Sequence, residues 1–340
     1  KILLQGLFIC FYFYLAHILC GYKLMILLSP LYYFLYVFSV EAYRWIQIAR
    51  LPRVHERQSV SKGGKPLAKH VNDRYCMITG GTSGIGLELS KLFALDGARL
   101  VLVSFDGEDT LDNVANMLRS LGSPEVLCFR KDLTKASAID ELYDEVSSID
   151  ISVLIHNAGF GAIGDTLSVG EGRSLGMIDL HNKALVRLYF KFLPDLLKRQ
   201  SSRASANDPP IVLMNTSSIV SFRAIPNFNA YAASKAYVRW FTEGLRGELS
   251  NTKMRLMLLC PGATQTAFVK SSGFDQTKQA STLPMATSTP DYVALYAYYS
   301  LFCTSETMAI PGMINWVLYY VSPFVPEKLW LAYMKMQMST

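Results

Sequence analysis

The sequence predicts an α/β fold, a doubly wound parallel sheet with helices on both faces, behind an apolar N-terminal segment. Three observations predict it. From residue 75 short apolar runs alternate with stretches of helical period, the pattern of a parallel sheet covered on both sides. The first run leads at once into a glycine-rich turn, TGGTSGIG at 79–86, that opens a helix. A serine, a tyrosine and a lysine then gather within NTSSIVSFRAIPNFNAYAASK, residues 215–235.

The segment before the sheet is of another kind. Residues 2–22 carry no formal charge, and after Lys23 a second uncharged run covers 24–40. A helix of about 20 apolar residues crosses a bilayer, so 1–50 is expected to be a membrane anchor of one or two transmembrane helices. The run is too long and too aromatic for a signal peptide, and no small-residue cleavage pattern follows it. Seven lysines and arginines between 44 and 69 outnumber Glu41 and Glu56, which marks 51–72 as a basic linker on the cytosolic side. Much of the net charge of +6 is explained by this cluster, which suits anionic lipid and gives no reason to invoke nucleic acid. With 340 residues, 51% of them hydrophobic, the chain has material for a sizeable core. The cysteines are scattered singly, with no CxxC and no metal-ligand spacing; Cys76, Cys128 and Cys260 read as small buried hydrophobes in a reducing compartment.

Strands are expected at 75–79, 100–104, 126–129, 152–156, 211–215 and 255–259, with a last one near Met308. Helical stretches between them include 87–95, 136–146, 175–198 and 231–249. The polar, proline-terminated run 200–210 reads as a surface loop, and 271–290 as a lid over the substrate. Residues 316–326 are apolar and aromatic but too short to span a bilayer, so they line an acyl channel, lie in the membrane interface or pack as core.

The glycine-rich turn has a physical purpose. Gly80, Gly84 and Gly86 let the backbone approach a pyrophosphate, which the unpaired N–H groups and dipole of the following helix attract. This makes the expected sheet Rossmann-type. Tyr231 and Lys235, four residues apart, stack on one helix face, about 5–6 Å apart at Cβ. An ammonium there favours the phenolate and fits Tyr231 for proton transfer, while Ser218, just after a strand, has a hydroxyl free to bind a substrate oxygen. Taken alone, the pair reads first as an ordinary helix face, and it is the rest of the chain that favours chemistry.

TGxxxGxG, then Asn157-Ala158-Gly159, a serine thirteen residues before YxxxK, and Pro261-Gly262 together resemble the short-chain dehydrogenase/reductase family over 73–311. The resemblance implies that Tyr231 is the general acid/base, Lys235 its helper and the holder of the nicotinamide ribose, and Ser218 the group orienting the carbonyl. It implies further that Thr79, Gly80, Ser83, Gly84, Ile85, Gly86, Asn157, Ala158, Gly159, Pro261, Gly262, Thr264 and Thr266 surround the dinucleotide, and that Asp132 contacts adenine. The family's fourth catalytic residue, an asparagine, falls on His181 when counted back from Pro194, with Asn182 one place later. His181 is therefore either a catalytic replacement, its imidazole tuning a proton relay, or a structural histidine. Ser104 stands where NAD-preferring members carry an acid, and Phe105 where NADP-preferring members carry an arginine. A small Ser104 leaves room for a 2′-phosphate, which favours NADP(H) over NAD(H), although Asp106 lies two residues beyond.

Within the family, NAGFG, YAASKAYV and the tail 312–340 resemble the membrane-anchored branch of very-long-chain 3-oxoacyl-CoA reductases and 17-beta-hydroxysteroid dehydrogenases. That likeness implies an endoplasmic reticulum membrane with the catalytic domain facing the cytosol, and a lipophilic ketone as substrate: a 3-oxoacyl-CoA, 3-ketosphinganine, steroid or retinoid. The long helices beginning near 175 and 231 resemble those through which the family forms homodimers. The rival is a non-catalytic nucleotide sensor or membrane scaffold that retains the fold.

Overall fold

The computed structural model describes residues 35, 38–43, 46–48, 71, 74–203, 208–268, 272 and 287–338. The chain forms two compact units, 1–51 and 52–340. In the first, the described residues are helical. The expected spans at 2–22 and 24–40, the linker 51–72 and the lid 271–290 lie largely outside the described residues. Among the described residues no helix is long and apolar enough to cross a membrane.

The second unit is built on seven parallel strands in the order β3-β2-β1-β4-β5-β6-β7: β1 (Tyr75–Thr79), β2 (Arg99–Ser104), β3 (Val126–Arg130), β4 (Ile151–His156), β5 (Val212–Thr216), β6 (Arg255–Leu259) and β7 (Met308–Ala309). Burial follows this order. Every residue of β4 and β5 is buried because helices cover both faces of the sheet, whereas edge strand β3 buries only Val126. The expected strands stand within about a residue of these bounds.

Helix α1 (Gly84–Leu95) packs on α2 (Glu108–Ser120) and on α7 (Pro290–Cys303). The contact with α7 is aromatic, Phe93 against Tyr298 at 4.8 Å between centroids, and the Tyr298 hydroxyl donates to Asp96 at 2.9 Å. Helices α3 (Ala136–Val146), α5 (Ala184–Ser202) and α6 (Asn229–Glu248) contribute Ile139, Leu188 and Val238 to one core with Met77, Leu154 and Leu213 of the sheet. Strand order reverses between β1 and β4, and the crevice at their carboxyl ends is where an open α/β sheet takes a ligand.

Two expectations change. The single helix expected over 175–198 is two, α4 (Glu171–Ile178) and α5, joined by a π-turn at Asp179–Lys183 that carries His181 and Asn182. Gln200, expected in a loop, is buried in the last turn of α5, where its side-chain oxygen accepts from the Ile211 N–H at 2.7 Å and ties the helix to β5. The tail forms α8 (Met313–Val321), a 3₁₀ turn and α9 (Glu327–Met338), with Trp316 buried, as the core reading of this run expects. Arg223 holds this tail: its guanidinium donates to the carbonyls of Ser322 and Val325 and lies 4.9 Å from the Trp330 ring centre. Asn227 donates to the Met338 carbonyl at 3.1 Å.

Tyr298→Phe removes a buried donor to a carboxylate and is expected to cost about 2 kcal/mol, lowering Tm by roughly 4–8 °C in thermal unfolding.

Candidate active site

The turn between β1 and α1 forms a backbone cradle. Gly80 and Gly84 have φ of +66° and +53°, conformations open to glycine, and Ser83 is the extended residue before the helix. Gly86 is fixed by contact instead: a Cβ there would lie 2.1 Å from the Gly80 carbonyl oxygen. Ile85 lies between them in the first turn of α1. Thr79 and Asn157 lock this turn to β4. The Thr79 hydroxyl accepts from the N–H groups of Asn157 and Ala158 at 3.0 and 3.1 Å, and the Asn157 side chain donates to the carbonyls of Thr79 and Gly80, each at 3.3 Å. The Asn157 side-chain oxygen in turn accepts from Thr216, which ties in β5.

After β6, Pro261 and Gly262 lead to Thr264, whose hydroxyl donates to the Gly262 carbonyl at 3.0 Å, and to Thr266, whose methyl stands 3.1 Å from where a Cβ on Gly84 would be. At the far end of the crevice Asp106 turns back. Its carboxylate accepts from the hydroxyls of Thr82 and, at 2.9 Å, Ser104. Sequence reasoning left Thr82 out, although its place inside the glycine-rich turn was a usable signal. Asp132 lies in the turn after β3, accepting from the N–H and hydroxyl of Thr134 at 3.1 and 2.6 Å. The cradle admits no side chain and presents helix N–H groups, so the residues present fit a dinucleotide.

Beside the cradle stand the three residues expected to react. Tyr231 and Ser218 are each 7% exposed and Lys235 4%. Ser218 begins a 3₁₀ turn, Ile219–Ser221, and its hydroxyl lies close enough to Tyr231 to favour the phenolate. Burial dominates, however, and holds the Tyr231 phenol well above its ordinary range. The expected lowering by the ammonium is not what sets this phenol, because Lys235 directs its Nζ to the Thr216 carbonyl at 3.0 Å and lies 5.8 Å from the Tyr231 ring centre. Lys235 is itself pushed down to about 8 by burial. Its ammonium is thus easier to deprotonate than that of an exposed lysine.

His181 is fully buried in the π-turn, its ring edge-on to Tyr231 at 5.7 Å between centroids. Burial, Lys235 and His156 hold it well below the ordinary histidine range, so it is neutral. His156, at the end of β4, was not singled out from the sequence; it too is buried, and is pushed down to about 3 by burial and Lys235. Asn182 donates to the Ser234 carbonyl at 2.9 Å. Ser234, the residue before Lys235 in YAASK, was likewise missed, since nothing in the sequence says which residue will face the π-turn.

A cradle for a dinucleotide adjoining a buried hydroxyl, phenol and ammonium defines an oxidoreductase that works with a nicotinamide cofactor. Bound there, the cofactor supplies or receives hydride. With a dinucleotide in the cradle, Ser218 would be placed to hold a carbonyl oxygen, Tyr231 to give it a proton or take one from the alcohol, and Lys235 to support the phenol's change of charge. The sequence profile of the family described as short chain dehydrogenase matches residues 74–277, and the chain belongs to that family. It is 34% identical over 205 residues to a 1-deoxy-11-beta-hydroxypentalenate dehydrogenase of Streptomyces exfoliatus, covering 59% of this chain and 71% of the relative. A short-chain dehydrogenase from Sphingobium yanoikuyae, solved in complex with NADPH, superposes with a TM-score of 0.64 at 26% identity, over 76% of this chain and 95% of that one. A 3-ketoacyl-(acyl-carrier-protein) reductase from Brucella melitensis, complexed with NADH, shares the fold with a TM-score of 0.61 at 22% identity, over 72% and 97%.

Tyr231→Phe is expected to lower kcat by at least about 100-fold while changing dinucleotide Kd little, as read by steady-state kinetics and titration calorimetry. Lys235→Met is expected to abolish turnover yet stabilise the fold. Between about pH 8 and 10.5 the unfolded chain holds a proton that the folded chain has released, so stability from this group rises with pH there and its penalty is complete below about 8. Urea unfolding at pH 7 is expected to show a gain of roughly 2 kcal/mol for the cofactor-free variant, vanishing towards pH 10.5.

Proposed function

We propose that the protein interconverts a ketone and a secondary alcohol on a bulky apolar skeleton, of terpenoid or steroid character. The observation that carries this is the wall around the reacting phenol. The Tyr231 ring stacks on Phe228 at 4.4 Å and faces Phe268 at 5.4 Å, and Met177, Ile225 and Met338 close the same cluster, with Met334 packed against it. An apolar shell of this kind beside the phenol suits apolar carbon better than small polar carbonyl compounds. The name of the Streptomyces relative, whose substrate is a hydroxylated pentalenate, supports the same class. A long-chain 3-oxoacyl-CoA is the second reading, supported by the methionines that α9 adds to the wall.

The cofactor proposed is NAD(H), which departs from the expectation of NADP(H). Asp106 occupies the space that a small Ser104 leaves, with its carboxylate fixed by Ser104 and Thr82. A carboxylate in that place accepts from a ribose 2′-hydroxyl and repels a 2′-phosphate. The working site proposed is a membrane surface, the endoplasmic reticulum with the catalytic unit in the cytosol. The uncharged runs at 2–22 and 24–40 support it. A homodimer through α5 and α6 is proposed on the exposure of Phe190 at 78% and Trp240 at 64%.

Oxidation of NADH or NADPH against androstenedione, a polycyclic terpenoid ketone, 3-oxopalmitoyl-CoA and acetoin tests the reading. Ring ketones should give the highest kcat/KM; turnover confined to acetoin would sink it. Asp106→Ser should shift the NADH-to-NADPH ratio of Kd values by about tenfold or more towards NADPH.

A further inference from the structure

We infer that His181 and Asn182 are a pair of positioning residues that grip Ser234 from the π-turn and so fix the segment of α6 bearing Tyr231 and Lys235. The inference rests on the reading of Tyr231 as the proton donor. Ser234 lies three residues after Tyr231 and one before Lys235, so whatever holds it sets both. Its hydroxyl meets His181 Nδ1 at 2.8 Å and its carbonyl accepts from Asn182 Nδ2 at 2.9 Å. Consecutive residues of an α-helix point about 100° apart and do not share a neighbour; the extra residue of a π-turn changes that, and here both side chains reach the same residue.

The hydrogen bonds around the ring leave one arrangement. The Phe160 N–H donates to Nε2 at 3.2 Å, so Nε2 must carry a lone pair and Nδ1 the hydrogen. Nδ1–H then donates to the Ser234 oxygen, whose own hydrogen is committed to the Tyr231 carbonyl at 2.8 Å. The chain runs from the substrate-side loop at Phe160, through the imidazole, to the backbone of the reacting tyrosine. A second ring proton would break the bond at Phe160 and set one N–H against another. The charged and titratable groups bearing on the ring, Lys235 and His156, disfavour that proton further, as does complete burial. The approach is close enough that a Cβ on Gly159 would lie 2.9 Å from Nε2, which gives the glycine of NAG a reason beyond the cofactor. His181 is thus a neutral strut and carries no proton in the reaction.

Nitrogen-15 NMR of the ring and kinetics on the best ketone of the panel test this. His181→Leu keeps the volume and removes both bonds; kcat is expected to fall roughly 100-fold with KM within about threefold, and the shape of the pH–rate profile unchanged. His181→Gln should restore part of the rate. Ser234→Ala, which keeps a good helix former in α6, should lower kcat roughly tenfold, and the double variant by less than the product of the two. Wild-type kcat in Ser234→Ala, or loss of a limb of the pH profile in His181→Leu, overturns the inference. The spectrum needs no substrate, so it decides this point even if the proposed reaction fails. A ring that stays Nδ1–H from pH 6 to 8, with an Nδ1 resonance that moves in Ser234→Ala, supports the grip; an Nε2–H tautomer or titration in that range refutes it.

Discussion

The ammonium of Lys235, buried with its Nζ bonded to the Thr216 carbonyl, is the costly feature that the surrounding structure accommodates. A charge in such a place is disfavoured, and Lys235 responds by becoming easy to deprotonate. Its neighbours add no comparable liability. His156 and His181 stay neutral, and the phenol of Tyr231 stays protonated. Of the ionisable groups gathered here, the ammonium is thus the one poised to change state.

That poise depends on α6 keeping its register against the ends of β4 and β5. Thr216 holds the lysine from β5, Asn157 ties β4 to the glycine-rich turn, and the π-turn grips the helix from the other side. Cofactor cradle and proton donor are linked through the same few strand ends. Ser218 follows from this placement, since the 3₁₀ turn it opens sits just beyond β5.

Much of this was legible in the sequence because its causes are local. A strand buried on both faces must be apolar along its length, and ISVLIH and RLMLL read that way. A backbone that approaches a phosphate must dispense with side chains, and TGGTSGIG does. What escaped had distant causes. The π-turn was invisible because its residues have ordinary helical character, and only Ser234, about fifty residues away, makes the distortion worthwhile. Asp106 was seen, but its return towards Thr82 depends on how β2 lies beside the glycine-rich turn. The tail left channel, interface and core packing all open in the sequence, because its partners Arg223 and Asn227 lie about a hundred residues upstream.

The clasp of Arg223 on the tail separates two jobs along the polypeptide. In the proposed reading the residues that hold the dinucleotide run no further than Thr266, whereas α9 brings Met334 and Met338 into the cluster around Tyr231. If that cluster sets substrate preference, changes in the last helix can alter it while the machinery for hydride exchange stays constant, a modular inheritance that one arginine and one asparagine keep in mechanical register.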